Sequence, residues 1–199
     1  MEKTEPKLDK IRSIAWTLSM ASGKRRLDVP GELLDPWIVE KYEQGWMEWI
    51  KRSNGKNYAL KNLELFSHAC YSQGTQESFL NFYMMNRNKR FRVFKGEYWW
   101  HMDIWSKLDY RWSYIEDDDI RDGDICIVSC PFALYGRKHK MLDELIEKCE
   151  RLGVEILLDF IYLPNSMNKT VDMDLSASCI KQITFSLSKT FPVQCAKIA

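Results

Sequence analysis

The residue best suited to carry out chemistry is a lysine that follows an apolar run near the C-terminal end of the sequence. Lys189 comes after Ile180–Phe185, a β-branched run that predicts a buried strand, and after the hydroxyl-rich Ser186-Leu187-Ser188. This order predicts that Lys189 lies where a strand opens onto a loop, at the edge where open α/β sheets bind ligands. Desolvation at such an edge lowers the pKa of a lysine and frees a neutral amine for Schiff-base chemistry. On this stretch alone, a solvated surface lysine remains the alternative.

A carboxylate ends a second apolar run and is expected at the same edge of the sheet. Asp159 closes the predicted strand 154–159, which follows a predicted buried strand, 124–129, and a predicted helix, 138–152. The order strand, helix, strand predicts a parallel pair joined by a right-handed crossover, which brings the carboxyl ends of the strands to one edge. Because an unpaired carboxylate is costly to bury, we expect a cationic group to meet Asp159.

Two further segments have the composition of a ligand site. Gly74-Thr75 leads into a predicted helix, and a glycine turn at a helix N-terminus presents free N–H groups to an anion. An ordinary helix cap is the alternative for this turn. The aromatic segment 98–100 offers a face for ring stacking. With Asp159 and Lys189, these segments complement pyridoxal phosphate (PLP) group by group: an anion site, a stacking face, an acceptor for the pyridinium N–H and an amine for the aldehyde.

Composition and charge narrow the class of protein. The chain has 199 residues, of which 45% are hydrophobic and 13% aromatic, as in a globular protein with one large domain or two small ones. The formal net charge is +1, from 29 basic and 28 acidic residues interspersed along the chain, which argues against a nucleic-acid partner. No window is apolar enough for a membrane span, and the polar first residues do not resemble a signal peptide. We therefore expect a cytoplasmic protein with no membrane partner.

The cysteines and histidines do not follow metal-binding patterns. Six cysteines fall mostly inside apolar runs and form no Cys-x-x-Cys pair, so buried reduced thiols are expected. The three histidines are too scattered to suggest a metal site by their spacing.

On these residues, the sequence resembles the aminotransferase class I/II family, the fold-type I PLP-dependent enzymes. The resemblance runs from about Gln73 to Lys197 and is strongest in Gly74-Thr75-Gln76-Glu77, in Leu158-Asp159-Phe160-Ile161-Tyr162 and in Ser186-Leu187-Ser188-Lys189-Thr190-Phe191. It implies an α/β fold, the three-layer αβα large domain of these transferases with a mostly parallel sheet. Apolar residues at helical spacing predict an N-terminal helical segment at 1–60, and the resemblance implies an incomplete PLP-binding domain at 61–199.

The resemblance also implies a role for each candidate site residue. Lys189 would form the aldimine with the cofactor and move the substrate α-proton as a general base. Asp159 would keep the ring nitrogen protonated, and Tyr162 would hydrogen-bond the ring hydroxyl. Tyr98 would stack on the ring, and His101 would support Asp159 from behind. The phosphate contacts would come from Gly74, Thr75, Ser186 and Lys197.

Two positions depart from the family pattern. Lys197 stands where the family usually has arginine, and a lysine lacks the bidentate fork that grips a phosphate. Ala133 replaces the asparagine that would join Tyr162 at the ring hydroxyl. These departures weaken the prediction of the reaction type more than the prediction of the cofactor.

The length of the chain leaves three interpretations. Family members are about twice as long, so the preferred one is an aminotransferase truncated after the lysine, a homodimer that acts on a small-molecule amino donor and acceptor. The second is a half-length binding or assembly module that keeps the fold without turnover. The third, a different α/β nucleotide-binding domain, lacks support because the sequence contains neither Gly-x-Gly-x-x-Gly nor a P-loop.

Overall fold

The computed structural model describes residues 48, 50–66, 72, 74–166 and 169–186. Most of the expected N-terminal helical segment lies outside these ranges, as do Lys189 and Lys197. The strands are β1 (Ala59–Lys61), β2 (Arg90–Val93), β3 (Trp112–Tyr114), β4 (Asp124–Ser129), β5 (Glu155–Phe160), β6 (Asp172–Asp174) and β7 (Ile180–Phe185). The helices are α1 (Thr75–Met85), α2 (Trp100–Lys107) and α3 (Leu142–Leu152), with 3-10 turns at Leu63–Leu65 and Leu163–Asn165.

Five strands form a central parallel sheet in the order β3-β2-β4-β5-β7, and β1 and β6 form a separate parallel pair. All six residues of β4 are buried, as expected for an inner strand covered on both faces. Its side chains alternate between the two faces, with Cys126 and Val128 in one core cluster and Ile125 and Ile127 in the other.

Helices cover both faces of the sheet. On one face, α3 buries an apolar stripe at helical spacing, formed by Leu142, Leu145, Ile146 and Cys149. On the other face, α1 and α2 contribute Phe79, Phe82, Tyr83 and Trp105 to the second cluster. This arrangement confirms the predicted three-layer αβα domain with a mostly parallel sheet.

Element boundaries differ from the sequence prediction where tertiary contacts compete with helix propensity. The predicted helix 138–152 begins only at Leu142. His139 is instead buried and stacks on the Phe94 ring with the centroids 3.8 Å apart, while Lys138 Nζ donates to the Asp172 carbonyl at 2.9 Å. The helix ends as predicted at Gly153, whose φ of 67° is the left-handed conformation that glycine adopts readily.

Helix α2 was not expected from the sequence. Only its first residue, Trp100, belongs to the aromatic segment 98–100 that we interpret as a stacking face, and His101 and Trp105, spaced four residues apart, are both buried. The cysteines in the described part, Cys126, Cys130, Cys149 and Cys179, are buried free thiols.

A buried arginine organises the edge of the sheet formed by β3, β2 and β4. The Arg92 side chain is fully buried and forms a 2.8 Å ion pair with Asp124, whose side chain is 2% exposed. Arg92 also donates to the carbonyls of Asp119, at 3.0 Å, and Tyr114, at 2.9 Å. Burial raises the pKa of Asp124, but hydrogen bonds from two arginines and a backbone N–H outweigh it and leave the pKa below its usual value.

The buried ion pair gives a first prediction. Asp124→Asn should lower the free energy of unfolding by about 3 kcal/mol, because it leaves the Arg92 charge buried with weaker partners. Urea unfolding measures this change. Asp119→Asn is the matched control, since its exposed carboxylate pairs with Lys148 and its loss should not measurably shift the midpoint. Equal effects of the two substitutions would contradict the proposed importance of burial.

A fully buried histidine gives a second prediction. Burial lowers the pKa of His101 to about 3, so the side chain is neutral in the folded protein at pH 7. The unfolded chain, with a histidine pKa of ~6.5, binds the proton first on acidification. The free energy of unfolding should therefore fall as pH drops from ~6.5 towards 3, with a contribution of up to ~1.4 kcal/mol per pH unit from this residue.

The test compares wild type with His101→Phe by urea unfolding at several pH values. The variant loses packing and the partner of Tyr83, so it should be less stable at pH 7. Its stability should fall less steeply on acidification, and the difference between the proteins should shrink. Parallel stability curves would show that His101 does not titrate as a buried group.

Candidate functional site

A row of polar residues crosses three neighbouring strands at their carboxyl ends. Ser129, Asp159 and Thr184 are partners in register on β4, β5 and β7. All three are buried. Ile127 and Leu157, two residues before Ser129 and Asp159, pack in the cluster under α1 and α2. Since side chains alternate along a strand, Ser129 and Asp159 lie on that same face, at the edge predicted to bind a ligand.

Asp159 lies in a nearly closed environment. It is 5% exposed, and the Ile161 N–H donates to its Oδ1 at 2.9 Å. The Ser129 hydroxyl oxygen is 3.4 Å from its Oδ2. A carboxylate at this depth must be compensated by hydrogen bonds or by a positive charge. The partner predicted for it across the cofactor, Lys189, lies outside the described residues, on the segment that continues β7.

The N-terminus of α1 lies beside the polar row. Gly74 precedes the helix with φ 96° and ψ 160°, a conformation that side chains rarely adopt, and Thr75 is the first helical residue. Gln182 Nε2 donates to the Ser78 hydroxyl oxygen at 2.8 Å, and that oxygen lies 3.4 Å from Thr184 Oγ1, so the first turn of α1 packs on β7. Ser186, two residues after Thr184, is buried. The first turn of α1, which begins at Thr75, is thus held against β7, the strand that leads to Ser186.

Of the aromatic candidates, Tyr98 lies in the loop between β2 and α2, and His101 lies in the first turn of α2. Tyr98 is half-buried, stacks on Trp100 with the ring centroids 6.4 Å apart and lies edge-on to His101 at 5.5 Å. His101 Nδ1 is hydrogen-bonded to the Tyr83 hydroxyl, and Nε2 has no hydrogen-bond partner among the described residues. Burial raises the pKa of Tyr83 well above its usual value, and the nearby negative charges of Asp159 and Glu97 raise it further. The hydroxyl therefore stays protonated beside the site.

Tyr162 is the most exposed of the described site candidates. It follows β5, begins the turn at Leu163–Asn165 and is 49% exposed. Ala133, in the loop after β4, is also exposed. The neighbouring Leu134 contacts Gly96, where an added Cβ would meet Leu134 Cδ2 at 3.0 Å. The loops after β2 and β4 therefore touch, while the Tyr162 ring remains accessible at the edge of the sheet.

Two polar residues of the site were missed by the sequence prediction. Glu97 is 5% exposed, and its carboxylate accepts N–H bonds of 2.9 Å from Ser129 and from Tyr98. The Ser129 hydroxyl is hydrogen-bonded to Glu97 Oε1. The signal that identified Asp159, a polar residue ending a buried strand, applies equally to Ser129. Nothing in the sequence around Glu97 distinguishes it from a surface glutamate.

No group of three or more His, Cys, Asp or Glu side chains is placed to hold one metal ion in the described part of the chain. Among its helices, none combines the length and the apolarity needed to cross a lipid bilayer.

Comparison with solved structures identifies the fold. A PLP-bound C-S lyase from Staphylococcus hominis matches with a TM-score of 0.61 at 15% identity, over 79% of this chain and 44% of that one. A PLP-bound protein from Clostridium difficile 630, assigned as an aminotransferase, matches with a TM-score of 0.59 at 19% identity, over 80% and 46%. L-Threonine-O-3-phosphate decarboxylase from Porphyromonas gingivalis matches with a TM-score of 0.51 at 15% identity, over 64% and 42%.

No protein-family model and no curated protein matches the sequence. The chain spans less than half the length of these three structural neighbours, at 44%, 46% and 42%. The likeness therefore rests on the order and packing of strands and helices rather than on overall sequence identity. In its described part, this chain has the fold of the large domain of fold-type I PLP-dependent transferases.

Proposed function

We propose that this protein binds pyridoxal phosphate and that it is an aminotransferase-like enzyme for an amino acid or a related amine, with Lys189 as the point of covalent attachment. The observation that carries the proposal is the buried Asp159 carboxylate at the end of β5, next to the strand that leads to Lys189. PLP-dependent enzymes with this fold are among the structural neighbours, which supports the choice of cofactor.

Asp159 is suited to hold a protonated ring nitrogen. Its burial makes an ionised state costly unless a cation or strong donor faces it, and a pyridinium N–H supplies both. The Ile161 N–H already fixes one carboxylate oxygen at 2.9 Å and orients the group. The acid would thus keep the ring nitrogen in its protonated form.

The groups around Asp159 fit the remaining parts of the cofactor. The N-terminus of α1, with Gly74 and Thr75, offers backbone N–H groups and the positive end of a helix dipole to a phosphate. Ser186 would add a hydroxyl there, and we propose Lys197 as the counter-charge. Tyr98 offers the stacking face, Tyr162 a phenol for the ring hydroxyl, and His101 a neutral imidazole behind the site.

When bound, PLP supplies an electron sink that labilises a bond at the α-carbon of a substrate amine. Lys189 would hold the cofactor between turnovers and carry the α-proton once its amine is released, which requires a desolvated position. Half-exposed Tyr162 and exposed Ala133 leave the outer side of the site open to a small-molecule amino donor or acceptor. In the fold family, a second subunit completes this side, so we propose a homodimer.

A second candidate is a non-catalytic binding or assembly module with the same fold. The part of the fold that the chain covers, 44% of the C-S lyase and 46% of the Clostridium protein, is compatible with such a module. Such a module would keep the cofactor contacts of the large domain and lack turnover. The same experiments separate it from the enzyme.

Cofactor attachment is the third prediction. The purified protein with PLP should develop a visible absorbance band, and borohydride should fix the cofactor to Lys189, as located by peptide mass. Lys189→Ala should abolish the fixed adduct, while Lys181→Ala, an exposed lysine on β7, should retain it. Folded protein that remains unlabelled at Lys189 with saturating PLP would overturn the proposed attachment. Attachment that an amino donor cannot reverse would support the non-catalytic module.

The role of Asp159 gives a fourth prediction. Asp159→Asn should weaken PLP binding about 10- to 100-fold, the loss expected for a charge-assisted hydrogen bond worth ~1.5–3 kcal/mol. Cofactor titration followed by absorbance measures the dissociation constant. Asp172→Asn, an exposed carboxylate on β6, is the control and should bind PLP as wild type does. Unchanged affinity in Asp159→Asn would remove Asp159 from the proposed site.

A further inference from the structure

The pairing of β2 with β4 ends before β4 reaches the candidate site. The last partners in register are Arg92 and Cys126, whereas β4 continues to Ser129. Backbone N–H groups point to alternate sides of a strand, and the N–H of the next residue, Cys130, donates to the Asp159 carbonyl on the β5 side at 2.8 Å. The Ser129 N–H therefore points to the opposite side, beyond the last pair with β2, where it needs another acceptor.

The carboxylate of Glu97 supplies this acceptor. The Ser129 N–H donates to Glu97 Oε2 at 2.9 Å, and the Ser129 hydroxyl donates to Glu97 Oε1. Glu97 Oε1 also accepts the Tyr98 N–H at 2.9 Å. Glu97 and Ser129 are each 5% exposed. We call these three bonds, which join Ser129 and Tyr98 through the Glu97 carboxylate, the Glu97 clamp.

A tight turn after β2 brings Glu97 to this position. The Glu97 N–H donates to the Phe94 carbonyl at 3.2 Å and closes the turn. Gly96, within the turn, lies against Leu134 in the loop after β4. Val93 and Phe94, which precede the turn, are fully buried. Apolar packing thus holds the start of the loop, and the Glu97 clamp holds its later part.

The donors around Glu97 suit an ionised carboxylate. An ionised carboxylate only accepts, and one backbone N–H reaches each of its oxygens here. These hydrogen bonds lower the pKa of Glu97, but burial has the larger effect and raises it above its usual value. A glutamine has one accepting oxygen and a donating NH₂ group, so it would leave one of the two N–H groups without an acceptor. The clamp therefore depends on both oxygens of an acid.

The Glu97 clamp connects two residues that would meet different parts of the cofactor. Ser129 is the register partner of Asp159, the proposed partner of the ring nitrogen. Tyr98, the proposed stacking face, is half-buried and stacks on Trp100 with the ring centroids 6.4 Å apart. The loop that carries Tyr98 therefore has a direct polar connection to the strand end beside Asp159.

We propose that Glu97 is a positioning residue, which fixes the Tyr98 backbone against the end of β4 and thereby sets the position of the Tyr98 ring over the cofactor ring. This inference rests on the proposed function, because Tyr98 needs a bound ring on which to stack. Glu97 acts through Tyr98 rather than by contact with the cofactor. Without the clamp, the buried residues before the turn keep the sheet in place, and the Tyr98 loop can shift.

Amide signals of the protein without cofactor test the clamp itself. In NMR spectra, we expect the amide protons of Tyr98 and Ser129 to exchange slowly with solvent and to shift in Glu97→Gln, which removes an acceptor. Glu116→Gln is the matched control, because the exposed Glu116 carboxylate accepts the N–H of Lys95 in the same loop at 3.0 Å. It should move the other two amides much less. Fast exchange in the wild type, or unchanged amides in Glu97→Gln, would overturn the inference.

A double-mutant cycle tests the action of Glu97 on the cofactor. Glu97→Gln should weaken PLP binding roughly tenfold, the loss of about one hydrogen bond, and Glu116→Gln should not. At saturating PLP, Glu97→Gln should also lower the circular dichroism of the visible band, because the ring is held in a different orientation. In a Tyr98→Ala background, Glu97→Gln should have little further effect on affinity. Additive effects of the two substitutions would overturn the positioning role.

The two measurements separate this inference from the proposed function. If the wild type does not bind PLP, the proposed function fails and the role of Glu97 towards the cofactor fails with it, whereas the amide signals still decide whether the clamp exists. If PLP binds at Lys189 and the effects of the two substitutions add, only the positioning role of Glu97 is wrong.

Discussion

The register of the parallel sheet is the constraint on which the candidate site depends. Ser129, Asp159 and Thr184 are neighbours only because β4, β5 and β7 pair without a shift at their carboxyl ends. A slip of one residue would turn a polar side chain to the opposite face, under α3. Ile127 and Leu157 oppose such a slip, since both are fully buried under α1 and α2. Hydrophobic packing of the strands thus determines on which face of the sheet the polar side chains of the candidate site lie.

Buried charged groups have different partners at the two ends of the sheet. At the amino end, Arg92 forms ion pairs with Asp124, at 2.8 Å, and with Asp118, at 2.9 Å, and it also donates to the carbonyls of Asp119 and Tyr114. At the carboxyl end, acidic groups gather around Ser129, and no described lysine or arginine pairs with Glu97. The paired charges around Arg92 stabilise structure, whereas the acidic groups around Ser129 lie at the edge where we propose that a cationic ring binds.

The sequence predicted the fold where hydrophobic patterns are strong and continuous. The bounds of β4 and β7 match the predicted apolar runs, and β5 lies one residue later than predicted, so that Asp159 is the residue before its last. The helix α3 between β4 and β5 was also predicted, although it begins four residues later than expected. Helix α2 was missed because its aromatic residues suggest a ligand face as readily as a helical core. Glu97 was missed because its burial arises from contacts with Ser129 on β4, 32 residues away in the chain. The roles of Lys189 and Lys197 remain predictions, since both lie outside the described residues.

The pairing of β1 with β6 limits when this part of the chain can fold during translation. Residues 59–61 align with 172–174, and Asn62 donates to Asp174 across 112 positions of the chain. During translation, β1 has no hydrogen-bonding partner among the described strands until β6 has left the ribosome. Closing so long a loop is entropically unfavourable. The pair therefore forms only after β2, β3, β4 and β5 have been synthesised, and it then ties together two segments that are far apart in the sequence.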